Sequence, residues 1–299
     1  MILAAGQGTR MKSPLPKVLH PLAGVPMVVW AIDAARDAGS DQIVLVVGHG
    51  REAVIQAVTR RFGDAIQYAT QEQQRGTADA VRAGLAAVRE GITEVVITYG
   101  DVPCVPPEAL ARLVTTRRDA GATLSLLTTT ADDPTGYGRI LRDASGRVTG
   151  IREHKDCSPE ERAIRTVNPG LYCVDRAFLA RALASISSNN AQGEFYLTDL
   201  VALAAEASPH GVAEVPWEPV SLRGINDRAE LNAAEETLYQ RLADRHRRAG
   251  STIAAGARIE RDVTLEAGVT VGPAVVLRGR THVAAGAAID AGWVLEEAR

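Results

Sequence analysis

Short runs of Val, Ile and Leu alternate with stretches whose apolar residues recur at helical spacing through residues 1–225, and this alternation predicts a sheet with helices on both faces. Residues 42–47, 94–99 and 122–128 read as buried strands, because near-continuous aliphatic runs suit strands covered on both sides. Residues 27–38, 52–62, 77–89 and 107–120 read as helices, several opening near Pro or Gly as helix starts do. The expected fold is a doubly wound, mostly parallel, Rossmann-like α/β domain. Its first strand, Ile2-Leu3-Ala4-Ala5, is short against the usual ~5–6 residues. It reads as clipped, with a residue or two expected upstream.

The pattern then changes twice. Residues 226–250 are charged and amphipathic, with Leu231, Leu238 and Leu242 on one helical face and Arg245, Arg247 and Arg248 at the end, which predicts a linker helix with a basic C-terminus. Across residues 251–299 the aliphatics Ile253, Ile259, Leu265, Val271, Leu277, Val283, Ile289 and Leu295 recur every sixth position. Two residues before the first seven of these stand small or β-branched residues: Ser251, Ala257, Val263, Val269, Val275, Thr281 and Ala287. A hexapeptide β-helix has this period, since each face of a triangular coil needs one inward aliphatic and one small corner residue. A two-faced β-roll is the alternative. The expected division is therefore 1–225, 226–250 and 251–299.

Composition narrows the partners rather than the fold. Aromatics make up only 4% and hydrophobic residues 46%, so aliphatic side chains must fill the core. A net charge of -3 offers no basic field, so no nucleic acid or anionic lipid partner is expected. Cys104, Cys157 and Cys173 have neither disulfide-scaffold nor metal-ligand spacing, and no apolar run approaches the ~20 residues of a membrane span. Both point to the cytoplasm and to no membrane span.

Chemistry concentrates near the start. Leu3-Ala4-Ala5-Gly6-Gln7-Gly8-Thr9-Arg10 puts two glycines directly after a strand, where backbone N–H groups can approach a phosphate unobstructed. Met11 stands where a dinucleotide fingerprint needs its third glycine, and Gly-Lys-Ser/Thr is missing, so neither common nucleotide motif fits. Alone, the segment is equally a tight turn. Arg10 and Lys17 add two cations to one loop, which is the charge a triphosphate and its transition state require.

Leu3-Ala4-Ala5-Gly6 through Met11, with Leu15-Pro16-Lys17-Val18-Leu19-His20 and Ala23-Gly24-Val25-Pro26-Met27, resembles the nucleotidyltransferase half of the bifunctional N-acetylglucosamine-1-phosphate uridylyltransferase/glucosamine-1-phosphate acetyltransferase family. Tyr99-Gly100-Asp101-Val102-Pro103, Asp133-Pro134-Thr135-Gly136-Tyr137-Gly138-Arg139-Ile140, Glu153-His154-Lys155-Asp156, Asn189-Asn190-Ala191-Gln192-Gly193-Glu194 and Gly224-Ile225-Asn226 agree in order. The hexads fall where that family begins its left-handed β-helix.

The resemblance implies that UTP and N-acetylglucosamine 1-phosphate are the substrates and UDP-N-acetylglucosamine, a cell-envelope precursor, the product. It places Leu3, Ala4, Ala5, Gly6 and Gln71 on the uridine, with Gly76 and Thr77 closing the base pocket. The Gln71 amide would donate and accept toward the uracil edge together; read alone, residues 71–74 are a solvated polar loop. Tyr99, Gly138, Glu153 and Asn168 are implied on the sugar side, with Gly100 and Asn226 also among the substrate-binding positions. Glu153 could equally pair with Lys155. Asp101 and Asn226 are implied to hold Mg²⁺, a hard ion that takes few protein oxygens besides phosphate; the alternative for Asp101 is to cap the helix beyond Pro106.

The implied reaction needs no covalent nucleophile. A sugar phosphate oxygen attacks the α-phosphorus of UTP, pyrophosphate leaves, and Mg²⁺ with Arg10 and Lys17 neutralises charge. Two positions depart from the family pattern: Asp79 stands where His is expected, as in glucose-1-phosphate nucleotidyltransferases, and Pro169 follows Asn168. A glucose-1-phosphate nucleotidyltransferase is the runner-up, and a catalytically silent nucleotide-sugar-binding subunit the alternative of another class. The family's acetyl-transfer site uses later β-helix coils, so that activity is not expected of this chain. Its β-helices associate as trimers, and Val263, Val269 and Val275 are expected to add apolar surface at such a homotrimer interface.

Overall fold

The computed structural model describes residues 1–299. They form two compact units, residues 1–19 with 28–224, and residues 20–27 with 225–299. In chain order the strands through residue 216 are β1 (Ile2–Ala4), β2 (Pro21–Leu22), β3 (Val25–Pro26), β4 (Ile43–Val47), β5 (Ile66–Thr70), β6 (Glu94–Tyr99), β7 (Leu124–Thr130), β8 (Gly138–Arg142), β9 (Val148–Arg152), β10 (Thr166–Asn168), β11 (Tyr172–Asp175) and β12 (Val212–Pro216). The helices are α1 (Met27–Asp37), α2 (Arg51–Phe62), α3 (Thr77–Leu85), α4 (Pro107–Asp119), α5 (Pro159–Arg162), α6 (Arg176–Ser185), α7 (Asp199–Ala207) and α8 (Arg228–Arg248).

The first unit is built on a ten-stranded sheet ordered β5-β4-β1-β6-β11-β7-β10-β8-β9, with β12 beside β7. Strands β5, β4, β1 and β6 run parallel, whereas β6/β11, β11/β7, β7/β10, β10/β8 and β8/β9 pair antiparallel. Alternate residues feed two cores. Ile2, Ala4, Leu45 and Val47 meet helices α1, α2 and α4 on one face, and Leu3, Val46, Val95 and Ile97 meet α3, α6 and α7 on the other. Burial on both faces is why these strands read as unbroken aliphatic runs.

Helix α3 stops at Leu85, short of the expected Arg89. After Gly84 the bonds tighten, Ala87 N–H donating to Gly84 and Val88 N–H to Leu85. The Gln42 side chain then takes Ala87 O (2.9 Å) and Arg89 N–H (3.0 Å), replacing the bonds another helical turn would make.

In the second unit, the Asp227 carboxylate accepts from Glu230 N–H (2.9 Å) and caps α8 as an N-cap should. The coils follow as β13 (Thr252–Ile253), β14 (Arg258–Ile259), β15 (Thr264–Leu265), β16 (Thr270–Val271), β17 (Val276–Arg278), β18 (His282–Val283), β19 (Ala288–Ile289) and β20 (Val294–Glu296). They stack into the separate parallel sheets β13-β16-β19, β14-β17-β20 and β15-β18. Three faces, not two, exclude the β-roll and make a triangular parallel β-helix. Ile253, Ile259, Leu265, Val271, Leu277 and Val283 fill its interior with Ala243 of α8.

The corner residues correct one expectation. Val263, Val269 and Val275 are 3%, 0% and 0% exposed; they complete the interior and offer no apolar surface. Outward positions on the coils are mostly polar, Thr252, Arg258, Thr264, Thr270 and His282, with Ala288 and Val294 exposed and Val276 half-buried among them. The hairpin β2–β3 also belongs to this unit. It turns through Ala23 (φ 44°) and Gly24 (φ 89°), as a two-residue hairpin turn requires. Ala23 N–H donates to Glu235 Oε1 (3.1 Å), and Arg261 N–H to Ala23 O (3.0 Å). A Cβ at position 24 would lie 2.5 Å from Glu260 Oε2, so glycine is needed there for space as well as for φ.

Candidate functional site

The parallel strands β1, β5 and β6 end together, and at their carboxyl ends lies a cleft of about 310 Å³. Crevices of this kind, outside the C-terminal strand ends, are where open α/β sheets bind ligands. Its lining includes Leu3, Ala4, Ala5 and Gly6 from the end of β1, Gln71, Gly76 and Thr77 between β5 and α3, and Tyr99 and Asp101 after β6. Lys17 reaches it from the loop after β1. Residues distant in sequence thus converge on one cleft.

The geometry explains the glycines. Gly8 has φ 63°, and a Cβ there would lie 2.5 Å from Lys17 Cβ, so the loop closes onto the lysine stem only with glycine present. Around Gly6 nothing lies within 4 Å of a Cβ, leaving that side of the loop open. Gly76 has φ 117°, and its Cβ would strike the Phe195 backbone at 2.5 Å. That contact brings residues 194–197 over the start of α3, where Ala78 N–H donates to Phe195 O (3.0 Å) and Leu197 N–H to Thr77 Oγ1 (3.0 Å).

Lys17 and Asp101 form an ion pair, with side chains 11% and 25% exposed. Asp101 therefore does not cap α4, whose N-cap is Pro106 without a side-chain bond. Gly100 N–H donates to Leu3 O (2.9 Å), pinning the turn that carries Asp101 to the end of β1. Arg10 is exposed on the turn Thr9–Met11 and is not part of the cleft lining. Asn226 belongs to the second unit, where its backbone N–H donates to Glu230 Oε2 (2.5 Å).

A second group gathers around Tyr99. Burial, then the charges of Glu153 and Asp101, pushes its phenol well above the usual range. Glu153 is itself pushed up by burial and by Asp156, Asp199 and Glu194, against the Thr198 hydroxyl, which donates to Oε1 (3.0 Å). A Cβ at Gly138 would come within 3.7 Å of Glu153 Oε1 and one at Gly170 within 2.7 Å of the Tyr99 ring. Glu153 is therefore not the partner of Lys155, whose amine donates to Gln192 (2.6 Å). Asn168 is buried, donating to Tyr172 Oη (2.6 Å) and accepting from Gly170 N–H (3.0 Å) across Pro169.

Gln71 is 6% exposed, so it is no solvated loop residue. Its Nε2 donates to Gly76 O (3.0 Å) and Asp79 Oδ2 (3.1 Å), which uses both amide protons. The expectation that Gln71 would donate and accept toward a base is corrected: only its carbonyl remains. The sequence reading assigned no role to Gln74 or Glu194, although both line the cleft. Gln74 Nε2 donates to Ala5 O (2.5 Å), and Asn190 holds the Glu194 loop by accepting from Gln192 and Glu194 N–H (3.1 and 3.2 Å). The one available signal was the Asn-Asn-Ala-Gln-Gly-Glu string, whose turn chemistry marks a structured loop.

The family model described as a MobA-like NTP transferase domain matches residues 1–191. The chain belongs to this family. Among curated relatives, "Bifunctional protein GlmU" of Sorangium cellulosum (strain So ce56) is 54% identical over 302 residues, covering 99% of this chain and 63% of the relative. The proteins of the same name from Anaeromyxobacter sp. (strain K) and Geobacter metallireducens are 46% and 44% identical over 300 and 299 residues, covering 61% and 62% of those relatives. The chain thus spans about three fifths of the length of the curated relatives it matches. The motif resemblance is borne out along 99% of the chain. No helix is long and apolar enough to cross a membrane.

Proposed function

We propose that this NTP transferase makes UDP-N-acetylglucosamine and pyrophosphate from UTP and N-acetylglucosamine 1-phosphate. The observation that carries the reading is the Lys17–Asp101 pair set against the glycine loop in one cleft with Gln71, Gly76 and Tyr99. A phosphate oxygen of the sugar phosphate, already anionic near neutral pH, attacks the α-phosphorus; the bond to the β,γ-diphosphate breaks and pyrophosphate leaves. No group of the protein needs to take a proton or form a bond, so catalysis rests on holding two anions in line and neutralising charge. The open side of Gly6 admits phosphate close to the backbone, and Lys17 offsets the charge that grows on the transferring group. On the sugar side, Glu153, Thr198 and Tyr99 supply the hydroxyl- and amide-binding groups.

A divalent cation fits the donor set. Asp101 offers one hard carboxylate at the cleft, and no group of three or more His, Cys, Asp and Glu side chains competes as an all-protein cage; magnesium takes one or two such ligands when phosphates supply the rest. Mg²⁺ held by Asp101 would neutralise triphosphate charge, the carboxylate exchanging its lysine partner for the metal. The part of Asn226 rests on the motif resemblance alone. Three cysteines, none in a disulfide and all buried, support activity in the reducing cytoplasm, and association as a homotrimer through the β-helix completes the reading. The test is pyrophosphate release across four NTPs and several sugar 1-phosphates. UTP with N-acetylglucosamine 1-phosphate should give the highest kcat/KM; preference for glucose 1-phosphate would move the assignment to the runner-up, and silence with every pair would overturn it.

A further inference from the structure

Asp79 departs from the family's expected histidine, and the structure gives it a definite task. It sits in the first turn of α3 and is 7% exposed. Its Oδ1 accepts from Arg75 Nη2 (2.9 Å) and Arg82 Nη1 (3.4 Å), and its Oδ2 accepts from Gln71 Nε2 (3.1 Å). The arginines are held in turn: their guanidinium carbons lie 5.9 and 5.3 Å from the Phe195 ring centroid, and Arg82 Nη2 also donates to Leu183 O (2.7 Å). The second proton of Gln71 Nε2 goes to Gly76 O (3.0 Å). Carboxylate and backbone carbonyl can only accept, so the amide cannot be turned over without setting oxygen against oxygen. Gln71 Oε1 takes no hydrogen bond from the chain and is not sealed from solvent, while Gln71 lines the cleft.

We infer that Asp79, braced by Arg75 and Arg82, is a specificity-determining positioning residue that locks Gln71 with its carbonyl toward the cleft, so that this position takes a ligand N–H and rejects a ligand acceptor. The inference rests on the uridylyl reading and deepens it. Uracil carries an imide N3–H, whereas cytosine has a bare acceptor nitrogen at the same ring position. A site whose polar group faces the wrong partner loses about one to two orders of magnitude in affinity. Asp79 therefore selects the base without touching it.

The experiment compares kcat/KM for UTP, CTP and N3-methyl-UTP in the wild type and in Asp79→Asn. In the variant the arginines claim Oδ1, the new amide N–H faces Gln71, and Gln71 loses its fixed orientation. The UTP-to-CTP preference should fall at least about tenfold, carried by KM rather than kcat, because the lock acts on binding of a part remote from the reacting phosphorus. A merely structural residue would lower both nucleotides together. Should Asp79→Asn fail to fold, the wild type decides alone: N3-methyl-UTP should be used at least about tenfold less well than UTP. An unchanged UTP-to-CTP ratio in a folded variant, or equal use of N3-methyl-UTP, overturns the lock and leaves the uridylyl reading intact. A wild type releasing pyrophosphate from no NTP overturns the uridylyl reading itself.

Discussion

Lys17 and Asp101 stand 84 residues apart in the chain and meet as an ion pair at the cleft. Neither is placed by its neighbours in sequence; the meeting depends on Gly8 yielding its side-chain space to the lysine stem and on Gly100 pinning the Asp101 turn to β1. Asp101→Ala removes the cleft carboxylate that faces Lys17 and is proposed to hold the cation, and should lower pyrophosphate release below about a tenth of wild type at saturating Mg²⁺, with circular dichroism unchanged. Lys17→Ala should cost about a hundredfold in kcat with a smaller change in KM, since the lysine offsets charge that grows during transfer; a pure KM effect would make it a binding residue. In the sequence Lys17 stood out as a loop cation beside the glycines, whereas Asp101 was named only through the motif resemblance. The state of Gln71 was not legible there. Its donors are taken by a carbonyl five positions on and a carboxylate eight positions on, and no pattern of residue types reveals which lone pair is left facing the cleft.

Elements read well where burial imposes a period and poorly where it does not. Strand β6 and helices α1 to α4 announced themselves through aliphatic runs and helical spacing, but β8 to β12 did not. Gly138-Arg139-Ile140-Leu141-Arg142 and Val148-Thr149-Gly150-Ile151-Arg152 alternate with charged residues and glycine, since these strands run antiparallel toward the edge and one face is only half covered. The hexads were the clearest signal because the triangular coil repeats one steric demand at every face. The basic end of α8 carried a hidden consequence. His246 is 5% exposed, and burial followed by Arg245 holds its imidazole below the ordinary value. The folded state therefore binds this proton less readily than the unfolded chain, and its stability is intact above the ordinary value of 6.5 and declines as pH falls through that value toward the lowered one. The thermal midpoint should drop between about pH 7 and 5, with a shallower slope for His246→Gln. Equal slopes would mean that the imidazole is not carrying the dependence.

For the whole molecule, association is the property on which the structure bears most directly. Trp293 and Val294 are 56% and 58% exposed, and Val294 stands in register with Val276 and Arg258 on one outward face of the coils. With Val263, Val269 and Val275 turned inward, side-by-side contact would rest on Thr252, Arg258, Thr264, Thr270 and His282 together with Val276, Ala288 and Val294. An interface in which threonines and charges outnumber the apolar positions gains only modestly from apolar burial and pays for desolvating polar groups unless each finds a partner. A homotrimer built on those faces should then be weak and its population set by concentration. Light scattering should give a mass that climbs toward three chains only across the micromolar range, and rising salt should lower it if the Arg258 and His282 positions contribute. The activity per chain should stay constant through that climb, because the cleft lies wholly within the first unit. A single monomeric mass at all concentrations would remove the trimer, and a turnover that rose with mass would mean that the cleft is completed by a neighbouring chain.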